Sequence, residues 1–552
     1  MAARPTSGRG TAYGHVTSFR HSSVSQRPFS TARPKKSRHL FAKTFAGIFA
    51  VGTGVYVWDR YSNSSTISRS LYALSTFGVV ALKYYYIDYY NDPDDLHESA
   101  SAAIYKMLMS NKGMYIKLGQ ALANQGSLFP LAYQKRFVKL YDEAPVDTWE
   151  SVDATLKKYL GPEYESQVFQ QIDHEPIASA SIAQVHRATL ANGDKVAVKV
   201  QHHYIEDQVA ADMWCYRLIV RVQEKVFDMP MTFYTQYVSD QTILETKFKN
   251  ELQNAEKLRS FIANDRSARN LGIHIPKNYP EYSDDKVLVS EWIDGVSLTD
   301  KKRLIDGKYN LGTIMNQFVL IFGKQIFSYG FVHCDPHPGN LLVRRVGRQQ
   351  QLVILDHGLY VNMPEKFRRE YAQLWKYIMS VDRKGLENVA NEWGVTSVDF
   401  LSTSIQLKPA DMDKSVSASM RTKKSKHIMK EFLSDTSKFP LDLFFLGRAM
   451  RIIQTCNKNF GSPVNRINVF TGNALDALIV KSAFSDYLTL LRLKVMLFGS
   501  SVVFWVFRLR QIWNGDRYGY KGLGIEDVIE RRFRRMAHNM GVDLPPEQAL
   551  TD

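Results

Sequence analysis

Residues Phe331–Val343 read FVHCDPHPGNLLV, and Leu352–Gly358 read LVILDHG. They place H-x-D at His333 and Asp335, an asparagine five residues later at Asn340, and D-x-G at Asp356 and Gly358. These residue types suit phosphoryl transfer. One carboxylate orients or deprotonates the attacking group, while an amide oxygen and a second carboxylate hold Mg²⁺ on the phosphates. Leu341, Leu342 and Val343 read as a short apolar strand, Arg344–Gln351 as a polar turn, and Leu352–Leu355 as a second strand ending on Asp356. Such a hairpin turns both metal-ligand candidates toward one ion. A chance H-x-D beside an unrelated loop would not come with these flanking strands. A zinc site drawn from His333, Cys334, Asp335, His337 and His357 is the chemical alternative, but it leaves the hairpin and Asn340 without a role.

Upstream, Lys195–Val200 (KVAVKV) alternates as a half-buried strand, and Lys199 stands like the phosphate-binding lysine of a V-A-I-K strand. Asn192-Gly193 is a tight hairpin signal, preceded by the strand QVHRATL from Gln184. Where a kinase carries its glycine-rich loop, this chain has PIASASIAQ (Pro176–Gln184), with Ala178, Ser179, Ala180 and Ser181. Alanine and serine cover a narrower range of φ than glycine, so a stiffer loop and an altered phosphate pose are expected. Taken by itself, the same stretch would read as a helix start. Lys199 needs a carboxylate partner. Glu245 and Glu251, on the helix-like run LETKFKNELQNAEKL, are both candidates, and spacing does not choose between them. Val287–Val289 reads as a buried strand leading through Glu291 and Ile293 to Asp294-Gly295, where backbone groups of a hinge would meet adenine.

Further upstream, KGMYIKLGQALANQ (Lys112–Gln125) holds a KxGQ tetrapeptide, Lys117 to Gln120 with Gly119 between, on a helical pattern. By itself it would be a solvated Lys and Gln. Combined with ASAS, VAVKV, HCDPHPGN and DHG, it resembles the UbiB/AarF-domain family of atypical kinase-like proteins, the coenzyme Q-associated group, over roughly residues 100 to 400. The resemblance implies an α+β, two-lobed protein-kinase-like fold with an N-terminal helical extension carrying KxGQ and a helix-rich C-terminal lobe. It implies ATP or ADP with Mg²⁺ as cofactors, and ATPase-type turnover rather than protein phosphorylation. Carried over, Lys117 and Gln120 belong to a segment that folds over the site, and Lys199 binds phosphate with Glu245 or Glu251 as its partner. Asp335 is the catalytic carboxylate, and Asn340 and Asp356 hold the metal. His357 departs from the family's usual Phe, and the serines of the alanine-rich loop depart more mildly. Within the family the chain looks most like the mitochondrial branch linked to lipid homeostasis and coenzyme Q distribution. A small-molecule or lipid kinase, and a nucleotide-binding scaffold without turnover, are the rival readings.

The 552 residues carry a formal net charge of +16 with 45% hydrophobic composition, which excludes a mostly disordered chain. Much of the charge is local. No Asp or Glu precedes Asp59, while Arg4, Arg9, Arg20, Arg27, Arg33, Lys35, Lys36, Arg38 and Lys43 do. Arg-rich, Ser-rich and acid-free is the composition of a mitochondrial presequence, and RPFSTA (Arg27–Ala32) resembles a processing site. A nucleic-acid-binding tail is the alternative, but no base-stacking module follows, so no nucleic-acid partner is expected. The expected partners are mitochondrial membrane lipids, quinone or isoprenoid lipids among them, at the inner membrane. Three scattered cysteines, Cys215, Cys334 and Cys456, imply no disulfide framework.

The expected organisation is a presequence over 1–39, a membrane-spanning helix over 40–58 and a second apolar and aromatic segment over 59–99. The KxGQ extension follows over 100–165, the smaller lobe over 166–295, the larger lobe over 296–510 and a basic amphipathic tail over 511–552. Within the second segment, Leu71–Leu82 is expected at the interface or packed on the domain. The run Val495–Phe507, at about 13 residues too short to span upright, is expected to be a buried core helix.

Overall fold

The computed structural model describes residues 36–62, 64–87, 93–123, 130–141, 145–227, 230–396, 435–479, 484–528 and 531. The expected processing site, most of the expected presequence and the end of the expected basic tail lie outside them. The chain parts into two units, Met1–Trp58 and Asp59–Asp552. The first contributes most of α1 (Lys36–Ser62), a helix that includes all of 40–58 and exposes Phe49, Val51, Tyr56 and Trp58.

The second unit opens with α2 (Thr66–Tyr85), α3 (Pro93–Asn111), α4 (Gly113–Ala123), α5 (Leu131–Phe137), α6 (Trp149–Leu160) and α7 (Tyr164–Gln167). The Asp59 carboxylate caps α2, accepting from the Ile67 and Ser68 N–H groups at 2.8 and 2.9 Å. Ala73 and Val80 of α2 join Ile104, Leu108, Tyr115, Ile116 and Phe137 in one cluster, so the Leu71–Leu82 stretch packs on the domain. Its outer side chains Leu71, Val79 and Leu82 remain exposed. Helix α4 carries the KxGQ residues. A Cβ at Gly119 would stand 2.4 Å from Leu140 Cδ1 and 2.7 Å from Leu108 Cδ1. The bare glycine lets α4 settle onto those leucines, at an intrinsic cost of roughly 0.5–1 kcal/mol in a helix interior.

The smaller lobe contains β1 (Phe169–Ile172), β2 (Ala178–Ser179), β3 (Ala183–Leu190), β4 (Lys195–Gln201), α8 (Ile205–Phe227), α9 (Thr232–Leu244), α10 (Phe248–Asn264), α11 (Arg266–Arg269), β5 (Ile273–His274) and β6 (Val287–Glu291). Its sheet runs β1-β3-β4-β6, with β2 paired to β3. Strand alternation does what the sequence pattern dictates. Val196, Val198 and Val200 enter the core with Val287, Val289 and Phe169, and Lys199 projects from the opposite face. Asn192-Gly193 turns β3 into β4, with Gly193 at φ +88. The alanine-rich stretch is strand and turn rather than helix: Ala178 pairs with Val185 and Ser179 with Gln184.

The larger lobe holds β7 (Val296–Ser297), α12 (Lys301–Asp306), α13 (Leu311–Lys324), β8 (Phe331–His333), β9 (Leu341–Val346), β10 (Gln349–Ile354), β11 (Tyr360–Asn362), α14 (Glu365–Ser380), α15 (Arg383–Glu392), α16 (Asp442–Asn459), α17 (Arg466–Ile479) and α18 (Phe484–Trp513). Helix α13 is its axis: Ile314, Met315, Phe318, Val319, Ile321 and Phe322 are all buried, against Trp375, Ala449 and Phe470 among others. The expected polar turn Arg344–Gln351 is shorter than read. Strands β9 and β10 pair Arg344 with Gln351 and Val346 with Gln349, closing on Gly347 (φ +59) and Arg348. Long polar side chains extend a strand when one face of the sheet is wet, and polarity alone had marked them as loop.

The expectation of a buried core helix at Val495–Phe507 is overturned. Helix α18 runs through Arg508 and Arg510. Among the described residues, Leu490–Trp513 is the one helical stretch long and apolar enough to cross a membrane by length and composition, and only 22% of its most apolar window is buried. Counting between charges had cut the helix short, because arginines on the margin of a helix do not end it.

Candidate active site

The β9–β10 hairpin pairs Leu341 with Ile354, so Asn340 and Asp356 meet at the same end. Asn340 Nδ2 lies 3.4 Å from Asp356 Oδ2, and Leu355 N–H donates to Asn340 C=O at 3.0 Å. Asp356 Oδ1 accepts from the Gly358 N–H at 2.8 Å. The choice left open between two glutamates is resolved: Lys199 Nζ reaches both oxygens of Glu251, at 2.9 and 2.8 Å. Glu245 instead faces Lys117, with Nζ at 3.3 Å. Lys117 also lies 3.8 Å from Asp335 Oδ2, so the KxGQ lysine stands inside the carboxylate cluster. Gln120 stays outside it, donating to Leu140 C=O at 3.0 Å and fixing α4.

The sequence reading missed Arg448. Its Nη2 lies 2.8 Å from Asp335 Oδ2, and its side chain is almost fully buried. A signal existed. Arg448 shares the buried stripe of α16 with Phe445, Ala449 and Ile452, where a cation needs a buried partner. His333 holds the other side of Asp335, its Nδ1 accepting the Asp335 N–H at 3.1 Å. The His333 N–H in turn donates to Gln325 Oε1 at 2.8 Å, from the π-helical turn Gln325–Tyr329 that ends α13.

Three cations, Lys117, Lys199 and Arg448, therefore meet four carboxylates, Glu245, Glu251, Asp335 and Asp356. Burial would raise Asp356, but Lys199, Lys117 and the Gly358 N–H outweigh it and hold the carboxyl well below the usual range. Burial likewise opposes ionisation of Asp335, and Arg448, then Lys117, push it down. Burial disfavours the Lys199 ammonium, yet Asp356 and Glu251 keep it charged. Burial raises Glu245, and Lys117 only partly offsets that.

The Ala178–Ser181 stretch is tied to its neighbours by hydrogen bonds. The Ala180 N–H donates to Ala183 C=O at 2.8 Å, His202 Nε2 lies 3.2 Å from Ala180 C=O, and the Ser179 hydroxyl donates to Pro145 C=O. Ser181 is buried. At the interlobe strand, Glu291 is a tie between elements: its carboxylate takes His274 Nε2 at 2.8 Å and Arg344 Nη1 at 3.1 Å, while its N–H donates to Lys277 C=O. Ile293, just after it, is buried.

The zinc alternative is not assembled. Among the described residues no three His, Cys, Asp or Glu side chains group as a metal site requires. Cys334 is fully buried, and burial pushes its thiol well above the ordinary value. Asn340 and Asp356 offer instead an amide oxygen and an ionised carboxylate, hard donors of the kind Mg²⁺ takes.

His357, directly after Asp356, is buried and stacks on Tyr360. Its Nε2 donates to Ile354 C=O at 3.1 Å and its Nδ1 accepts the Tyr360 hydroxyl at 2.8 Å, which defines a neutral ring. Burial, then His333, push it down to about 3. The unfolded chain protonates this histidine below about 6.5 while the folded chain does not, so its contribution is lost as pH falls from about 6.5 toward 3, at about 1.4 kcal/mol per pH unit. His357→Phe should flatten the fall in stability between pH 6.5 and 4 in denaturant melts. An unchanged slope would show that His357 is not held neutral.

Residues 139–390 match the ABC1 atypical kinase-like domain. An ABC1 family protein of Schizosaccharomyces pombe is 35% identical over 486 residues, covering 86% of this chain and 89% of the relative. The ABC1 family protein lscO of Purpureocillium lilacinum is 34% identical over 549 residues, covering 90% and 91%. The AarF domain-containing kinase 1 of Drosophila melanogaster is 33% identical over 365 residues, covering 63% and 69%. With the lysine–glutamate pair, the H-x-D carboxylate and the hairpin D-x-G on one two-lobed frame, the chain belongs to the ABC1/AarF family of atypical kinase-like proteins.

Proposed function

We propose that the protein binds ATP or ADP with Mg²⁺ and turns ATP over slowly at the mitochondrial inner membrane, in lipid homeostasis and coenzyme Q distribution. The observation that carries the nucleotide reading is the approach of Asn340 and Asp356 to within 3.4 Å at the end of one hairpin, beside the Lys199–Glu251 pair. Asn340 and Asp356 would hold the metal, the amide turning Oδ1 toward it. The ion would neutralise phosphate charge and fix the phosphates in place. Lys199, kept charged, would take a phosphate oxygen, and the pinned Ala178–Ser181 loop would cover the phosphates. Asp335 orients the attacking oxygen. A carboxyl depressed by Arg448 and Lys117 is a weak base, which favours slow turnover. The acid-free, Arg-rich N-terminal segment supports mitochondrial import, and the span proposed at 40–58 lies within one continuous helix, α1. The lipid and quinone roles rest on the family likeness alone.

Two cations on Asp335 also favour a second reading, a nucleotide-responsive scaffold without turnover. Phosphate release from MgATP by the full chain, with and without anionic vesicles, separates the two. Lipid-stimulated release that is lost in Asp335→Asn supports the first. No release, with Asp335→Asn still sustaining the cellular role, supports the second. Transfer of labelled γ-phosphate to a lipid rather than to water would replace both with a lipid kinase.

A further inference from the structure

We propose that α18 is a bilayer-docking helix, by which the larger lobe lies along an anionic membrane surface. One face of α18 belongs to the protein. Leu490, Leu493, Leu497 and Phe504 are buried, and the Ser500 hydroxyl donates to Asn468 Oδ1 while Asn468 Nδ2 donates to Ser501 Oγ, both at 3.0 Å. Lys494 pairs with Asp476 of α17 at 2.7 Å. The other face is apolar and open. Val495, Phe498, Val502, Trp505, Val506 and Leu509 are each at least half exposed, from 50% at Val502 to 72% at Phe498, and Trp513 beyond them is 91% exposed. At about 3.6 residues per turn those six share an arc of roughly 100°, the width of a stripe that normally faces a core.

The charges name the occupant. No Asp or Glu lies between Asp486 and Asp516, while Arg492, Lys494, Arg508 and Arg510 do. Arg492 and Arg510 stand exposed along one margin of the apolar arc, and Arg517 is exposed just past the helix end. An apolar stripe with basic margins suits acyl chains beneath anionic headgroups, and Trp505 and Trp513 suit the boundary between them. A second copy fits less well. An antiparallel two-fold pairing of α18 would set Arg492 of one chain against Arg510 of the other, with no acidic residue to offset them. A transmembrane placement also fails, because one face of the helix is already committed to the larger lobe: Ser500 and Ser501 are hydrogen-bonded to Asn468 of α17, and Lys494 is paired with Asp476. The helix therefore lies in the plane of the surface. This inference needs neither nucleotide chemistry nor a span at 40–58.

The three native cysteines are buried, so single exposed cysteines can be labelled selectively. Full-length Val502→Cys and Val506→Cys, carrying an environment-sensitive fluorophore, would be placed on vesicles of phosphatidylcholine and phosphatidylglycerol. Lys195→Cys, on the sheet of the smaller lobe, serves as control. Emission at 502 and 506 should shift to the blue and rise several-fold, be quenched by nitroxide-bearing lipid and be shielded from iodide, while 195 stays open to iodide. Arg492→Glu with Arg510→Glu should abolish the lipid quenching and leave the MgATP thermal shift intact, which separates this proposal from the nucleotide reading. Iodide access at 502 and 506 equal to that at 195 overturns it. So does efficient disulfide cross-linking between the 502 cysteines of two chains, which would assign the stripe to a second copy.

Discussion

Asp356→Asn abolishes the thermal stabilisation that MgATP gives the full chain. A ligand at 100 times its dissociation constant stabilises the folded state by about 2.7 kcal/mol, and the whole of that increment is expected to vanish. Asp356 is held, against burial, well below the usual carboxylate range by Lys199, Lys117 and the Gly358 N–H, so it stays ionised next to a divalent ion. With it, four carboxylates face three cations and the cluster attracts a metal; without it the charges balance and the attraction is gone. At an effective dielectric near 20, a close pair of unit charges interacts by about 4 kcal/mol, so one lost charge suffices to end binding. The substitution is nearly isosteric, and an asparagine Oδ1 still accepts the Gly358 N–H, so the unliganded fold should survive. Melts with MgATP, and with ATP plus chelator, make the comparison. Full MgATP stabilisation of the variant would remove Asp356 from the metal site and take the nucleotide reading with it.

How much of this was legible depended on distance along the chain. Asn340 and Asp356 sit at the two feet of one hairpin, so alternation and turn chemistry suffice to bring them together. The burial of alternate valines in β4 likewise follows from period two, and it fixes the face from which Lys199 projects. Glu251 against Glu245 was not legible. Both lie on the helical run after α8, 46 and 52 positions from Lys199, and only the packing of α10 on β6 makes Glu251 the partner. Arg448 lies far beyond the motifs, on a helix whose role is set by tertiary contact, although its place on an apolar stripe marked it. Helix α18 was misread for a physical reason. Composition reports that a segment is apolar, but only packing decides whether protein, water or lipid meets it.

The second large effect belongs to Lys117. Its ammonium stands between Glu245 and Asp335, where burial disfavours the charge and Glu245, Asp335 and Asp356 restore it. Lys117→Met strips Glu245 of its cation, and breaking a buried ion pair by removing one partner costs about 3–5 kcal/mol. The unliganded variant should therefore melt earlier. Its site, though, moves from one excess negative charge to two, so a divalent ion bound with nucleotide restores more than it does in the native chain. The thermal shift with MgATP or MgADP should grow, and Asp335, relieved of one of its two cations, should become the stronger base and raise turnover. Glu245→Gln added to Lys117→Met removes the orphaned carboxylate and should recover most of the unliganded stability, while leaving Asp335 with Arg448 as its remaining cation. Lys117→Arg keeps the charge and should keep the native shift. In the Lys117→Met/Glu245→Gln protein the excess returns to one negative charge, so its nucleotide shift should match the native one while turnover rises. A double variant that melts like the native chain yet gains no turnover would show that the KxGQ lysine does not restrain the site.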